Sequence, residues 1–492
     1  MDNSDRIILS LIIARLEGDK IYEKSYAQYI EKLVTDGIGG FVVFGGDYEE
    51  LKNFLAYLQS KASQPLIIAS DIEKGVGQQI KGGTMIPSQM GISAGFDLNK
   101  DKNDLYSLYS IVIKEAMDIG INLALLPVLD VNTEPKNPII CTRAFSDNAD
   151  VVSEYGKFII KLFESKGLLT CGKHFPGHGG TQIDSHLELP GFICDIETHL
   201  KPFREAIKVG VSTIMVGHIV AFDIDPASLS KKAINGVLRQ ELGFKGVVLT
   251  DAMNMRALME YDNPNTLAFK AGADIILHPE DPYTAMQEIK KAYKRGLIND
   301  DRIREADKRI SEMREKIKKS FSNKFFMPYQ EEIREEEYLP LIHKAFKKTV
   351  TVIKNEIDDF GSHKIIPYLA GAYTDEIKDI FRNYFGLAYD LEDYRPSKGI
   401  PLIATFTNIR AAGIEYLLRG QQNLLIREIV TNNEAIVVSF GSPYVLKPFK
   451  KAKVIISVYD SHELAVLAFF DAFNEGFKNT GRLPVNIEWF DD

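Results

Sequence analysis

Short apolar, β-branched runs punctuate the first part of the chain: FVVF (41–44), LIIAS (66–70), NLALLPVL (122–129), LLTCG (168–172), STIMVG (212–217), GVVLT (246–250) and DIIL (274–277). Such continuous runs, without polar alternation, suit parallel strands buried on both faces. Segments of helical period separate them, and this alternation predicts a TIM-type (β/α)8 barrel. The N-terminal run RIILSLIIARL supplies the eighth strand or a helix. Residues 284–335 are charged with a helical pattern, which reads as solvated helix faces and a connector. A second alternation follows, with strand-like runs TVTVI (349–353), KIIPYLAG (364–371), PLIATFT (401–407), AIVVSFG (435–441) and KVIISVY (453–459). The expected organisation is therefore a barrel catalytic domain over 1–320, a linker over 321–339 and a smaller open α/β sandwich domain over 340–492.

The residues just past the barrel runs carry more information than the runs. Asp71, Asp130, Lys173 with His174, His218, Asp251 and His278 each follow one. A barrel builds its active site at the C-terminal ends of its strands, so this set marks a candidate site. Composition narrows the partners. The 492 residues are 45% hydrophobic and 26% charged, with a formal net charge of −9. That balance argues against nucleic acid, which wants a basic face. No apolar run is long enough to span a bilayer, and the N-terminal stretch lacks the pattern of a secretory signal. Cys141, Cys171 and Cys194 have no paired spacing, which points to a reducing compartment. The expectation is a cytoplasmic protein that binds neither nucleic acid nor membrane.

Three of the nine histidines fall in one stretch, CGKHFPGHGGTQIDSHLELP (171–190). His174 and His178 have the spacing of a helical zinc pair, but Pro176 and Gly177 between them oppose a helix. The glycines do not form a phosphate-cradling P-loop motif. Acid/base chemistry fits better. In Asp184-Ser185-His186 a carboxylate stands near an imidazole that titrates near neutral pH and can both give and take a proton. Asp251, at the end of GVVLT, offers a carboxylate to act across a substrate from it; its alternative reading is a helix N-cap.

KHFPGHGGTQIDSH resembles the signature of the family 3 glycoside hydrolases, in particular the β-N-acetylglucosaminidase branch. ASLSKKAINGVLRQELGFKGVVLTDAMNM resembles the family's nucleophile region, and LLPVLDVNTEPKNPIICTRAFS its segment with a sugar-holding arginine. AFKAGADIILHP, AFKKTVTVIKN, VVSFGSPYVL and GRLPVNI extend the resemblance over nearly the whole chain. The resemblance implies retaining hydrolysis through a covalent glycosyl-enzyme. Asp251 matches the nucleophile, His186 the general acid/base and Asp184 its dyad partner. Asp71, Arg143, Lys173 and His174 match residues that hydrogen-bond the terminal sugar. No metal and no cofactor are implied. His178 reads as a loop-structuring residue and Asp130 as a structural anchor, while His218 and His278 are strand-end residues near the pocket. The chain departs from the family where the early strand ends: the family reads D-x-E-G-G-R-V-x-R, whereas Lys74 replaces a glycine and Gln79 stands where the second arginine would be. Glutamine cannot make the charged, forked contacts of arginine.

The leading expectation is an exo-β-N-acetylglucosaminidase acting on small oligosaccharides or muropeptides from cell-wall or chitin turnover, with a role in peptidoglycan recycling. Two alternatives stand beside it. A β-N-acetylglucosaminide phosphorylase follows if phosphate replaces water, since a neutral histidine does not repel phosphate as a carboxylate would. A sugar-binding pseudo-enzyme follows if the changes at Lys74 and Gln79 abolish turnover. The oligomeric state is left open.

Overall fold

The computed structural model describes residues 3–181, 191, 195–322, 335–357, 362–409, 418, 420–478 and 481–487. They fall into two compact units. Residues 1–85, 109–131 and 149–333 make the first, and residues 86–108, 132–148 and 334–492 the second.

The first unit is a (β/α)8 barrel. Its strands are β1 (Ile12–Glu17), β2 (Gly40–Phe44), β3 (Ile67–Ser70), β4 (Leu123–Ala124), β5 (Leu169–Phe175), β6 (Thr213–Val216), β7 (Val247–Thr250) and β8 (Ile276–Leu277). All neighbours pair in parallel in the order β7-β6-β5-β4-β3-β2-β1-β8, and a Leu249–Ile275 bridge closes the ring. The N-terminal run is both of the things expected of it: a helix over Asn3–Leu9, then β1. The run 122–129 is a strand only at Leu123–Ala124 and meets β5 again at the Val128–Lys173 bridge. Pro127 lies between and has no N–H to donate to a ladder. Strand packing is tight where β2 meets β3: a Cβ on Gly40 would lie 1.9 Å from the Ile67 carbonyl oxygen, so only glycine fits.

Two carboxylates, one buried and one half-buried, rivet the N-terminal end of the barrel. Asp274, fully buried, accepts Val248 N–H at 3.0 Å and guanidinium contacts from Arg239 (2.5 Å), Arg302 (3.2 Å) and Arg309 (2.9 Å). Glu164 receives the N–H and hydroxyl of Thr170 at 3.1 and 2.8 Å and those of Ser212 at 3.1 and 2.8 Å, joining β5 to β6. Both spend their acceptors on strand starts, away from the opposite, C-terminal face.

The second unit contains a six-stranded sheet of β9 (Thr351–Asn355), β10 (Ile365–Gly371), β11 (Tyr389–Asp390), β12 (Ile400–Phe406), β13 (Ile436–Phe440) and β14 (Val454–Ser457). The order is β11-β10-β12-β13-β14-β9, parallel except for β9 against β14. On one face Phe381 packs edge-on to Phe406, Phe440 and Phe470, with ring centroids 6.1, 6.1 and 4.9 Å away. Among the described residues no helix is long and apolar enough to cross a membrane.

Candidate active site

At the C-terminal end of β5 the run LTCGKHF continues the strand through Lys173 and His174, burying both. The Lys173 side chain is only 1% exposed, an expensive place for an ammonium unless it is paired. Its Nζ lies 2.5 Å from Asp71 Oδ1 and 2.7 Å from Glu73 Oε1, both just past β3. Glu73 is buried, whereas the Asp71 side chain is 23% exposed. Lys173 therefore holds Asp71 in place while Asp71 keeps acceptor capacity for a bound hydroxyl. The sequence reading named Asp71 and Lys173 but missed Glu73. Its signal was present in the Asp71-Ile72-Glu73 spacing, the D-x-E of the family motif.

Asp130 is the anchor of this corner. It is fully buried past β4 and receives backbone N–H groups from His174 (3.2 Å) and His178 (2.6 Å), while the His174 ring Nδ1 lies 2.7 Å from its Oδ2. Burial alone would raise the Asp130 carboxyl; the His174 ring, His178 and these hydrogen bonds outweigh it and hold it below the ordinary carboxylate range. An ionised carboxylate only accepts, so His174 Nδ1 carries the proton and Nε2 is the ring's remaining hydrogen-bonding atom. The Lys173–His174 and Phe175–Pro176 peptides are cis. Gly177 (φ 133°) lets the loop turn close to His199, whose Cβ would lie 2.7 Å from an added Cβ. His178 is buried with its ring Nδ1 2.8 Å from the Thr181 hydroxyl, and burial lowers its pKa to about 4, so it is neutral near pH 7. It structures the loop, as its surroundings in the sequence suggested.

Asp251 follows β7. Its backbone N–H reaches the Val216 carbonyl at 2.9 Å, and its Oδ1 accepts the Ala252 N–H at 2.8 Å. The Asp251 charge acts on both His178 and His278, across the barrel mouth between the ends of β5 and β8. Beneath Asp251, buried His218 bridges β6 and β7. Its Nε2 donates to the Ala252 carbonyl at 3.0 Å, so its Nδ1, 2.7 Å from Ser228 Oγ, accepts in the neutral ring. His218 thus fixes the backbone beside Asp251, and Ser228, unnoticed in the sequence, fixes His218.

The remaining wall comes from β8, β1 and β2. His278, in the left-handed region (φ 46°), has its pKa lowered to about 4 by burial and by Arg15. Its ring lies 6.2 Å from that of Phe44, over which the Arg15 guanidinium stacks at 4.8 Å.

Asp71, Lys173, His174 and Asp251 thus belong to one barrel mouth. Arg143 belongs to the second unit, at the end of a short turn over Cys141–Arg143, where its Nη1 reaches the Ile139 carbonyl at 3.3 Å. Asp184 and His186 lie outside the described residues. Among the described residues no group of three His, Cys, Asp or Glu side chains is arranged to hold a metal.

The sequence model of the glycosyl hydrolase family 3 N-terminal domain matches residues 11–313. The chain belongs to glycoside hydrolase family 3. It is a member of a family of enzymes that cleave O-glycosyl bonds, and its barrel is the family 3 barrel. Among curated family 3 relatives, it is 33% identical over 328 residues to beta-hexosaminidase A of Pseudoalteromonas piscicida, covering 58% of this chain and 54% of that one. It is 32% identical over 294 residues to a beta-hexosaminidase of Nitrosomonas eutropha, covering 57% and 83%. The first relative is therefore matched over about half its length. Among solved structures, a family 3 beta-N-acetylglucosaminidase from Paenibacillus sp. str. FPU-7 superimposes with a TM-score of 0.81 over the whole of both chains at 23% identity. A beta-glucoside phosphorylase superimposes with a TM-score of 0.84 at 21% identity, covering 99% of this chain and 94% of that one. These two likenesses establish a shared two-domain fold.

Proposed function

We propose that the protein is a retaining exo-β-N-acetylglucosaminidase. The observation that carries the reading is the pairing of two kinds of carboxylate in one mouth: Asp71, locked by Lys173 as a sugar-gripping group, and Asp251, presented at the end of β7 on a backbone braced by His218. Asp251 attacks the anomeric carbon as the glycosidic bond breaks, forming a glycosyl ester. His186, oriented by Asp184, gives its proton to the departing oxygen. The same imidazole then takes a proton from water, whose oxygen bonds the anomeric carbon as the ester to Asp251 breaks. Asp71, Lys173 and His174 bind hydroxyls of the terminal sugar and orient the ring over Asp251. Domain boundaries near 320 and 340 belong to this reading, as does its setting: cytoplasmic recycling of cell-wall or chitin-derived oligosaccharides. The buried free thiols Cys141 and Cys171 suit a reducing compartment.

The relatives called beta-hexosaminidases support the sugar specificity. The test is product analysis on an aryl β-N-acetylglucosaminide and on a chitobiose-type substrate, with and without inorganic phosphate. Free N-acetylglucosamine in both buffers is expected. Sugar 1-phosphate would turn the reading to a phosphorylase, and binding without turnover to a pseudo-enzyme.

A further inference from the structure

Arg15 is misplaced for a barrel strand. Its neighbours on β1, Ala14 and Leu16, are 3% and 0% exposed, yet the Arg15 side chain is 43% exposed. Register explains this. Arg15 pairs with Val42 near the C-terminal end of β1, two residues below the level where Glu17 pairs with Phe44, so its long side chain reaches the barrel mouth. There it stacks on the half-buried Phe44 ring at 4.8 Å, and that ring lies 6.2 Å from His278. Its one ionic neighbour among the described residues is Glu17, at 3.6 Å and beyond hydrogen-bond reach; Glu17 itself is held by Lys20 at 2.5 Å. The guanidinium is thus positioned by stacking, while its five N–H donors make no hydrogen bond among the described residues. In a protein of net charge −9, an oriented guanidinium in the mouth, paired with Glu17 only across 3.6 Å and making no hydrogen bond among the described residues, is a ready anion receptor.

Its place around the ring says which part of a substrate it meets. Strand β1 stands four steps from β5 and two from β3 in the eight-membered ring, so Arg15 faces Lys173 from the opposite side and Asp71 from a quarter-turn away. Asp251, on β7, is two steps from both β1 and β5. A pyranose gripped at β3–β5 with its anomeric carbon over Asp251 directs its aglycone towards β8 and β1. The electrostatic neighbourhood agrees: both Arg15 and Asp251 act on His278, with opposite sign.

We propose that Arg15, braced on Phe44, is the oxyanion-recognition residue of the aglycone and acceptor side, selecting a carboxylate-bearing leaving group or an incoming phosphate. The proposal rests on Asp251 lying under the anomeric carbon. It also supplies a guanidinium on a different strand from the arginines that the family motif loses around Lys74 and Gln79.

The experiment compares wild-type protein with Arg15→Gln and Arg15→Lys. One arm uses two aryl β-N-acetylglucosaminides of matched leaving-group acidity, one neutral and one carboxylated. The other follows turnover of the neutral substrate in rising inorganic phosphate, with analysis for sugar 1-phosphate. The expected result is that Arg15→Gln lowers kcat/KM for the carboxylated substrate, or the phosphate-dependent rate, about tenfold. The neutral substrate without phosphate should stay within about twofold, and Arg15→Lys should restore part of the loss. Loss in the first arm identifies the leaving group as the anion, and loss in the second the acceptor. Equal losses on neutral and carboxylated substrates, or no loss in either arm, overturn the proposal. Full activity in Asp251→Ala would instead remove the reading on which it stands.

Discussion

The two walls of the barrel mouth handle charge in opposite ways. On the β3–β5 wall each buried charge is answered within the wall: Lys173 by Asp71 and Glu73, Asp130 by His174 and two backbone N–H groups. On the β8–β2 wall His278 is kept neutral near pH 7, and Arg15 stays half-solvated with its donors unspent. The first wall is prepaid in geometry, so a sugar hydroxyl meets groups that need not reorganise. The second offers a cation whose full strength appears only when an anion arrives and water leaves. On the proposed reading, recognition of a constant sugar and of a variable leaving group falls to different strands.

Substitutions can break this contrast at several points. The largest effect is expected for Asp251→Ala, between the walls: a fall in turnover of roughly 10⁴-fold or more with the fold intact, read by steady-state kinetics beside circular dichroism. Next comes Lys173→Met, which leaves two carboxylates facing each other without their cation and should cost about 3–5 kcal/mol of stability. Adding Glu73→Gln should recover part of that in urea unfolding; no recovery would mean that Glu73 is not answered by Lys173. The His178 ring predicts a pH effect. The unfolded chain takes up its proton near 6.5, whereas the buried ring refuses it until about 4. Stability should therefore fall as pH drops through that window, by on the order of 3 kcal/mol. His178→Asn should flatten the thermal-unfolding profile between pH 7 and 5, and an unchanged slope would place the acid sensitivity elsewhere. The smallest effect is expected for His218→Phe, which removes the brace under Asp251. It should lower kcat roughly tenfold with KM nearly unchanged, the worth of about one net hydrogen bond in the reacting geometry.

Much of the barrel was legible because its strands are continuous apolar runs, and runs such as FVVF and GVVLT have little alternative. The N-terminal segment was ambiguous for the same reason: RIILSLIIARL is apolar at both helical and strand periods, and the chain uses both, turning at Ser10–Leu11. The two-residue β11 escaped notice because Tyr389–Asp390 has no run to recognise and pairs only at the sheet edge. In the site, strand-end position was enough to single out Asp71, Lys173, His174 and Asp251. Glu73 and Arg15 depend on register across strands. The partner of Glu73 is 100 residues away, and Arg15 escapes burial only because of where β1 stops against β2. No local pattern encodes either relation.

The three guanidinium groups gathered on Asp274 have a further consequence. Arg302 and Arg309 tie β7 and β8 to the long helix Asp300–Ser322 from below, and Arg239 adds the helical segment Lys232–Glu241, so the floor of the barrel is fastened without any help from the residues at its mouth. Loops above the strands can then lengthen, shorten or change their chemistry while the vessel keeps its shape. A designer wishing to retarget this catalyst to another leaving group has a free hand over the upper rim, so long as that single aspartate and its three arginines are left alone.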